Sequence, residues 1–328
     1  MQFHMNYLWN AAQSAPIAVD LFFALSGFVL ANSYLGRLQT SNYLFKFMKA
    51  RVIRLYPLYL LGLVASVAGL FYEHHLLSTD PQYQKTFAFN LFMMPAPKAD
   101  LFFPFNPVSW SLFWEIVVNF LFGAFARLVR PKILFLIVGV CAVPMLARIA
   151  LVGIGGWTWA TADIGATRTL YSFGIGCLYY CLGLQRRKVN IAMALLSAGV
   201  VAAILYFPHL QGFSRFFTLF VIAIGNPFVL WLGVRYEFPS YFVPVAKFLG
   251  DISYPIYLVH IPLSYVLMPW LIATGLPPAA CVMTFSVITI VTAWLLVGVD
   301  ERVRRTLTKW STPRISSVPK PQIPGNVA

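Results

Sequence analysis

Apolar stretches of crossing length recur from one end of this chain to the other. They fall at about residues 15–35, 55–72, 108–126, 133–151, 166–184, 190–207, 216–234, 252–272 and 279–299. Crossing a bilayer takes about 20 apolar residues in a helix. Inside lipid the backbone must satisfy its own hydrogen bonds, which leaves helices and closed barrels. Barrel strands alternate apolar and polar over short segments, and these stretches do not. With 59% hydrophobic and only 10% charged residues, the chain falls far below the roughly 25% charge of soluble domains. The expected fold is all-α: a polytopic membrane helical bundle of about ten transmembrane helices. Residues 1–10 (MQFHMNYLWN) are apolar but too short to span, and read as the outer end of a first helix that is N-terminally truncated. They lack the basic leader and cleavage site of a signal peptide.

The net charge of +14 would suit a nucleic-acid ligand if it were clustered on one face. Instead the basic residues sit in short loops between spans. If the loop at 36–54 is cytoplasmic, only Lys85, Lys98, Arg148, Arg168 and Arg215 of the 24 Lys and Arg fall on the other side. That asymmetry is the signature of cytoplasmic loops. The chain therefore reads as a multi-pass membrane protein with no nucleic-acid partner, its N-terminus and its C-terminal tail cytoplasmic. Residues 1–299 form the transmembrane domain. Residues 300–328 are a basic tail ending in STPRISSVPKPQIPGNVA, expected to be disordered. The four cysteines lie within apolar spans without metal-ligand spacing, so neither a metal site nor a disulfide framework is expected.

Several polar residues stand out against this background. The stretch Val19-Asp20-Leu21-Phe22-Phe23-Ala24-Leu25-Ser26-Gly27-Phe28 carries a carboxylate at its mouth and a Ser-Gly pair in its middle. Charge at the edge of hydrocarbon is kept for a partner or a substrate path, and small residues allow close approach of a helix or ligand. Arg51 and Arg54, three apart, share a helix face at the mouth of a span. They suit lipid headgroups or, through bidentate contacts, the phosphates of a cosubstrate. Glu115 lies within SWSLFWEIVVNF, where a carboxylate needs an arginine partner or a polar cavity. His4 and His260 are both within apolar helix. An imidazole there is either a helix-helix hydrogen bond or a proton acceptor near neutral pH.

Four phrases in order, VDLFFALSGFVLA, ARVIRLYPLYL, PVSWSLFWE and ISYPIYLVHIPL, together resemble the acyltransferase 3 family of membrane acyltransferases. The similarity runs from His4 to about Glu301. It implies a bacterial inner-membrane O-acyltransferase that takes an acetyl group, or another short acyl group, from cytoplasmic acetyl-CoA (acyl-CoA). The acceptor would be a carbohydrate hydroxyl, as in a cell-surface polysaccharide or a glycan precursor. On this resemblance the catalytic set is His4, Asp20 and Glu115. His4 acts as general base or acyl carrier, and a carboxylate orients its ring. Ser26, Gly27, Arg51, Arg54 and His260 line the path of acyl-CoA, with Ser26 and the backbone near Gly27 beside the thioester and the two arginines on the phosphates. Family members carry an arginine, ten residues, then the histidine; here that arginine would precede Met1. This points to a truncated start or an inactive homologue. A sugar or solute transporter or flippase is the competing class, since intramembrane acids and proline-broken helices also suit alternating access.

Overall fold

The computed structural model describes residues 2–74, 81–97, 99–184, 188–206 and 214–311. Side chains in the first helix are described from Pro16 onward. The chain is helical almost throughout. Among the described residues seven helical stretches are long and apolar enough to cross a membrane, including Pro16–Thr40, Leu44–Leu70, Pro131–Val152 and Pro278–Lys309. Exposed apolar side chains such as Phe135, Leu136, Val140 and Val143 cover the rim, as expected where the solvent is hydrocarbon.

The elements are α1 (Gln2–Thr40), α2 (Leu44–His74), α3 (Pro81–Leu91), α4 (Trp110–Ala124), α5 (Pro131–Val152) and α6 (Ala162–Cys181). They continue with α7 (Ile191–Tyr206), α8 (Ser214–Phe220), α9 (Asn226–Arg235), α10 (Val243–Ala273) and α11 (Pro278–Ser311). A single wider turn, Val221–Gly225, joins α8 to α9 without breaking the rod. Proline starts α5, where its missing N–H costs nothing, and Gly153 follows the helix with φ of 87°, a conformation glycine adopts freely. Among the described residues, β1 (Lys188–Val189) and β2 (Tyr236–Glu237) form a short parallel pairing.

Two expectations are corrected. Residues 1–10 were expected to be the outer end of a truncated first helix, separate from the next span at about 15–35. Instead α1 runs unbroken from Gln2 to Thr40 through Pro16. The intervening Asn-Ala-Ala-Gln-Ser-Ala is dominated by good helix formers and holds no glycine to end a helix. Gln2 and Thr40 therefore lie at opposite ends of one rod. The tail expected to be disordered from residue 300 is helical to Ser311. Arg304 pairs with Asp300 at 2.8 Å and Arg305 with Glu301 at 2.9 Å, and such pairs at i, i+4 favour helix. Residues 312–328 lie outside the described residues.

Connections sort onto two faces. Gln39 at the end of α1 donates to the carbonyls of Ala126 and Val129 beyond α4, and the β1–β2 pairing joins the segments after α6 and α9 on that same face. At the opposite face Phe102 N–H donates to Trp157, Ala96 N–H to Phe102 and Trp159 Nε1 to Ala96. That closes the segments after α3 and α5 over the bundle.

At the centre α1 and α6 run parallel and touch backbone to backbone. A methyl group added at Gly27 would overlap the carbonyl oxygen of Phe173, and one at Gly176 that of Ala24. Cys177 Sγ sits 3.4 Å from the Gly27 carbonyl. Close packing replaces the hydrophobic effect as the glue between helices in lipid. One apolar cluster joins α1 to α5, α6 and α9; a second joins α1 to α2, α4 and α10. The candidate site opens between the helices of the second.

Candidate active site

Along α1, positions 19, 22, 23, 26, 29, 30, 33, 34 and 37 follow the spacing of one helix face, and all line a single cavity of about 550 Å³. Helices α2, α4 and α10 supply its other walls through Arg51, Arg54, Ser111, Glu115, Tyr254 and Tyr257. From Arg37 to Val19 the stripe covers roughly 27 Å at 1.5 Å per residue. The Arg37 end is exposed, whereas Val19, Phe23, Ser111 and Leu112 at the other end are buried. The result is a deep slot entered from the face that carries the α1–α2 connection.

The order of side chains along the slot is chemical as well as spatial. At the mouth the Arg37 guanidinium lies over the rings of Tyr34 and Tyr43, at 5.1 and 5.4 Å from their centroids, and its Nη2 donates to Ser33 O at 2.7 Å. Cation–π contacts hold such a group in place without neutralising it. Deeper in, Glu115 Oε1 collects three donors: Ser26 Oγ at 2.6 Å, Asn119 Nδ2 at 3.3 Å and Arg51 Nη2 at 3.5 Å. Arg51 Nε is buried and has no hydrogen-bond partner among the described residues. A buried unmade guanidinium donor is costly unless a ligand completes it. Arg54 stands near the Asp300–Arg304 pair of α11, within reach of the Asp300 charge. Three arginines against a single lining carboxylate give the slot a positive field, and its apolar walls strengthen that field.

Ser26, Arg51, Arg54 and Glu115 thus converge on one cavity, although they come from three helices. The other expected site residues lie elsewhere. Asp20 was expected to orient an imidazole. It is instead fully buried, with Oδ2 2.6 Å from Arg168 Nη2 and Oδ1 3.2 Å from Arg168 Nε. Arg168 also donates to the carbonyls of Pro16 and Gly155, each at 2.6 Å. It lies over the Trp110 ring at 5.4 Å. Charge in lipid is stable only with this degree of pairing, so Asp20 fastens α1 to α6 and to the segment after α5. Gly27 was expected along the thioester path, but it faces α6, where the backbone contact leaves no room for a ligand. His260 does not line the cavity. Its Nδ1 is 3.0 Å from Ile256 O, and its ring lies 6.2 Å from that of Tyr257. His4 belongs to the early turns of α1, and its side chain lies outside the described residues.

Sequence reasoning passed over Arg37, Tyr34, Tyr257 and the part played by Arg168. Arg37 could have been found by extending the α1 stripe in steps of three and four past Ser26. Tyr257 stands three residues before His260 in the same phrase, where the titratable ring draws attention away from it.

Comparison with known proteins gives the slot a context. The model of a family described as an acyltransferase domain, Acyl_transf_3, matches residues 1–298. A protein from Rhizobium radiobacter named "Protein 2 in picA locus" is 35% identical over 157 residues, which is 42% of this chain and 80% of that protein. No solved structure matches.

Proposed function

Since the chain belongs to the acyltransferase family matched across residues 1–298 and is a multi-pass membrane O-acyltransferase, we propose that it takes an acetyl or other short acyl group from cytoplasmic acyl-CoA. The acceptor we propose is a hydroxyl of a carbohydrate presented at the opposite face of the bacterial inner membrane. The slot carries this reading. Arg37 stands at its mouth with Arg51 and Arg54 further in, its walls are largely apolar, and its inner end lies among the buried Val19, Phe23 and Leu112. Coenzyme A has the same polarity: a charged nucleotide, a long thin arm and a reactive thioester at the tip.

In this reading the phosphates engage Arg51 and Arg54 by charge-assisted hydrogen bonds, with Arg37 at the entrance, and the arm follows the α1 stripe inward. The entrance face is then the cytoplasmic one, in keeping with its basic loops. Glu115 keeps Arg51 aligned and adds a negative charge that its neighbours Ser26 and Asn119 hold in place. His4 is the group we assign to remove the proton from the acceptor hydroxyl, or to take the acyl group first and pass it on. Along the unbroken α1 it stands about 27 Å from Phe22, so either step requires α1 to bend at Pro16 and bring the imidazole to the inner end of the slot. Asp20 serves the reaction indirectly, by fixing the angle at which α1 leaves the Arg168 anchor.

Purified protein in nanodiscs is expected to retain acetyl-CoA and to acetylate a glycan acceptor. His4→Ala should leave retention intact and lower acyl transfer at least about a hundredfold, the usual scale for loss of a proton-transfer group. Full transfer by that variant would remove His4 from the mechanism. Solute movement across vesicles without thioester consumption would favour a carrier instead.

A further inference from the structure

Inward of Ser33 and Tyr34 the slot is lined by five hydroxyl groups, and they are bound in two different ways. Ser26 donates to Glu115, Ser253 Oγ to Gly250 O at 2.8 Å and Tyr254 OH to Leu55 O at 2.6 Å. Each of these three is the one slot hydroxyl that reaches its acceptor among the described residues. Ser111 and Tyr257 are arranged differently. Their oxygens are 2.7 Å apart, and both reach the same carbonyl, Val108 O, from Tyr257 at 2.8 Å and from Ser111 at 3.2 Å. Two protons therefore serve one obligatory acceptor. If Tyr257 turns its proton elsewhere, Ser111 still satisfies Val108. In the slot's interior this pair can release a donor without leaving a buried carbonyl unmade.

The pair also sits at the right depth. The ring of Tyr257 packs against Phe22, with centroids 6.5 Å apart, and Phe22 lies roughly 18 Å along α1 from Tyr34 at the mouth. Pantetheine is about as long as four residues of extended chain, roughly 14 Å. With its phosphates held between Arg37 and Arg51, the arm ends at Tyr257 rather than at Ser26, whose proton is already held by a carboxylate.

We propose that Tyr257, backed by Ser111, is the hydrogen-bond donor to the acyl carbonyl oxygen, and so a catalytic residue. The assignment rests on the acyl-CoA reading above. The acceptor oxygen adds to the thioester carbon, and the carbonyl electron pair moves onto oxygen, where the Tyr257 hydroxyl donates to it. The pair then returns, the C–S bond breaks, and coenzyme A leaves with the proton the alcohol gave up. Tyr257 keeps its own proton throughout.

Two non-reactive ligands test the assignment on the whole protein in nanodiscs: acetyl-carba(dethia)-CoA, which keeps the carbonyl, and S-ethyl-CoA, which lacks it. Wild type is expected to bind the ketone about tenfold more tightly, the scale of one hydrogen bond. Tyr257→Phe should bring that ratio close to one with S-ethyl-CoA affinity unchanged, and should lower kcat about a hundredfold, as loss of an oxyanion donor does. A packing defect would weaken both ligands alike. Ser111→Ala, which leaves Val108 to Tyr257 alone, should shrink the ratio in the same direction and covers the case in which Tyr257→Phe does not fold. An undiminished ratio in both variants, or an unchanged kcat, overturns the assignment. If wild type binds neither ligand, the coenzyme A reading itself fails and takes this one with it.

Discussion

Glu115 shows how one side chain in lipid acquires a use. Its carboxylate is nearly buried, yet its bonds to Ser26, Asn119 and Arg51 include only one to a cation, and that one is the longest. The charge is therefore held in place more than it is neutralised, and Arg51 keeps a donor free for a ligand. Glu115→Gln preserves an acceptor for Ser26 and removes the charge that aligns Arg51. It should raise KM for acyl-CoA about tenfold while leaving the detergent Tm within a few degrees, measured by steady-state transfer and by a thermal melt. Arg51→Lys should not rescue binding, because an ammonium cannot reproduce the fork of a guanidinium. The sequence made Ser26, Arg51, Arg54 and Glu115 visible because polar groups in apolar spans are conspicuous. Tyr257 was hidden by the same logic, since an aromatic residue in a membrane helix attracts no notice until its hydroxyl partner is known. Asp20 was conspicuous and misplaced. A carboxylate announces that it needs a partner, but a single sequence does not say which of several arginines supplies it.

At the scale of the element, α1 is shared between two tasks. One face, through Gly27, lies against α6; the other, through Ser26 and its neighbours three and four residues away, forms the floor of the slot. Adjacent residues in a helix point about 100° apart, and here that turn carries Ser26 into the slot and Gly27 against Phe173 of α6. Reading the Ser-Gly pair as one feature of the thioester path overlooked that turn. Gly27→Ala is expected to cost at least about 3 kcal/mol, because a backbone carbonyl cannot move aside as a side chain can. The variant should melt lower or fail to accumulate. Ser26→Ala, one residue away, should leave the melt nearly unchanged and act on kinetics alone. Helix content was legible in the long apolar stretches, but their ends were less so: α1 continues through Pro16 and α11 through Asp300, since ion pairs and neighbouring helices carry a rod past the apolar segment that announces it.

For the whole molecule, charge placement and contacts agree on two faces. The basic connections after α1, α4, α6 and α9 share one face, and the aromatic closure around Ala96, Phe102 and Trp159 covers the other. Cysteine-replaced protein with single cysteines at Arg130 and at Thr158 should label from opposite sides of intact membranes with an impermeant maleimide; labelling of both from one side would break the topology. The all-α, multi-pass character could be read from sequence, because lipid imposes it; the count could not, since about ten crossings were expected and seven stretches among the described residues are long and apolar enough. Which helices enclose the slot could not, since that depends on pairings such as α1 with α6, whose partners are far apart in the chain.

The Asp20–Arg168 bond carries a consequence for biogenesis. Helices leave the insertion machinery in chain order, so the acid is delivered well before its base. Until α6 emerges, Asp20 has no guanidinium to meet, and α6 in turn brings an arginine that hydrocarbon alone would reject. The first helix must therefore linger where water or a chaperone can shelter its carboxylate. Only when α6 docks alongside α1 do the acid and the base cancel, with α7 to α11 still to follow.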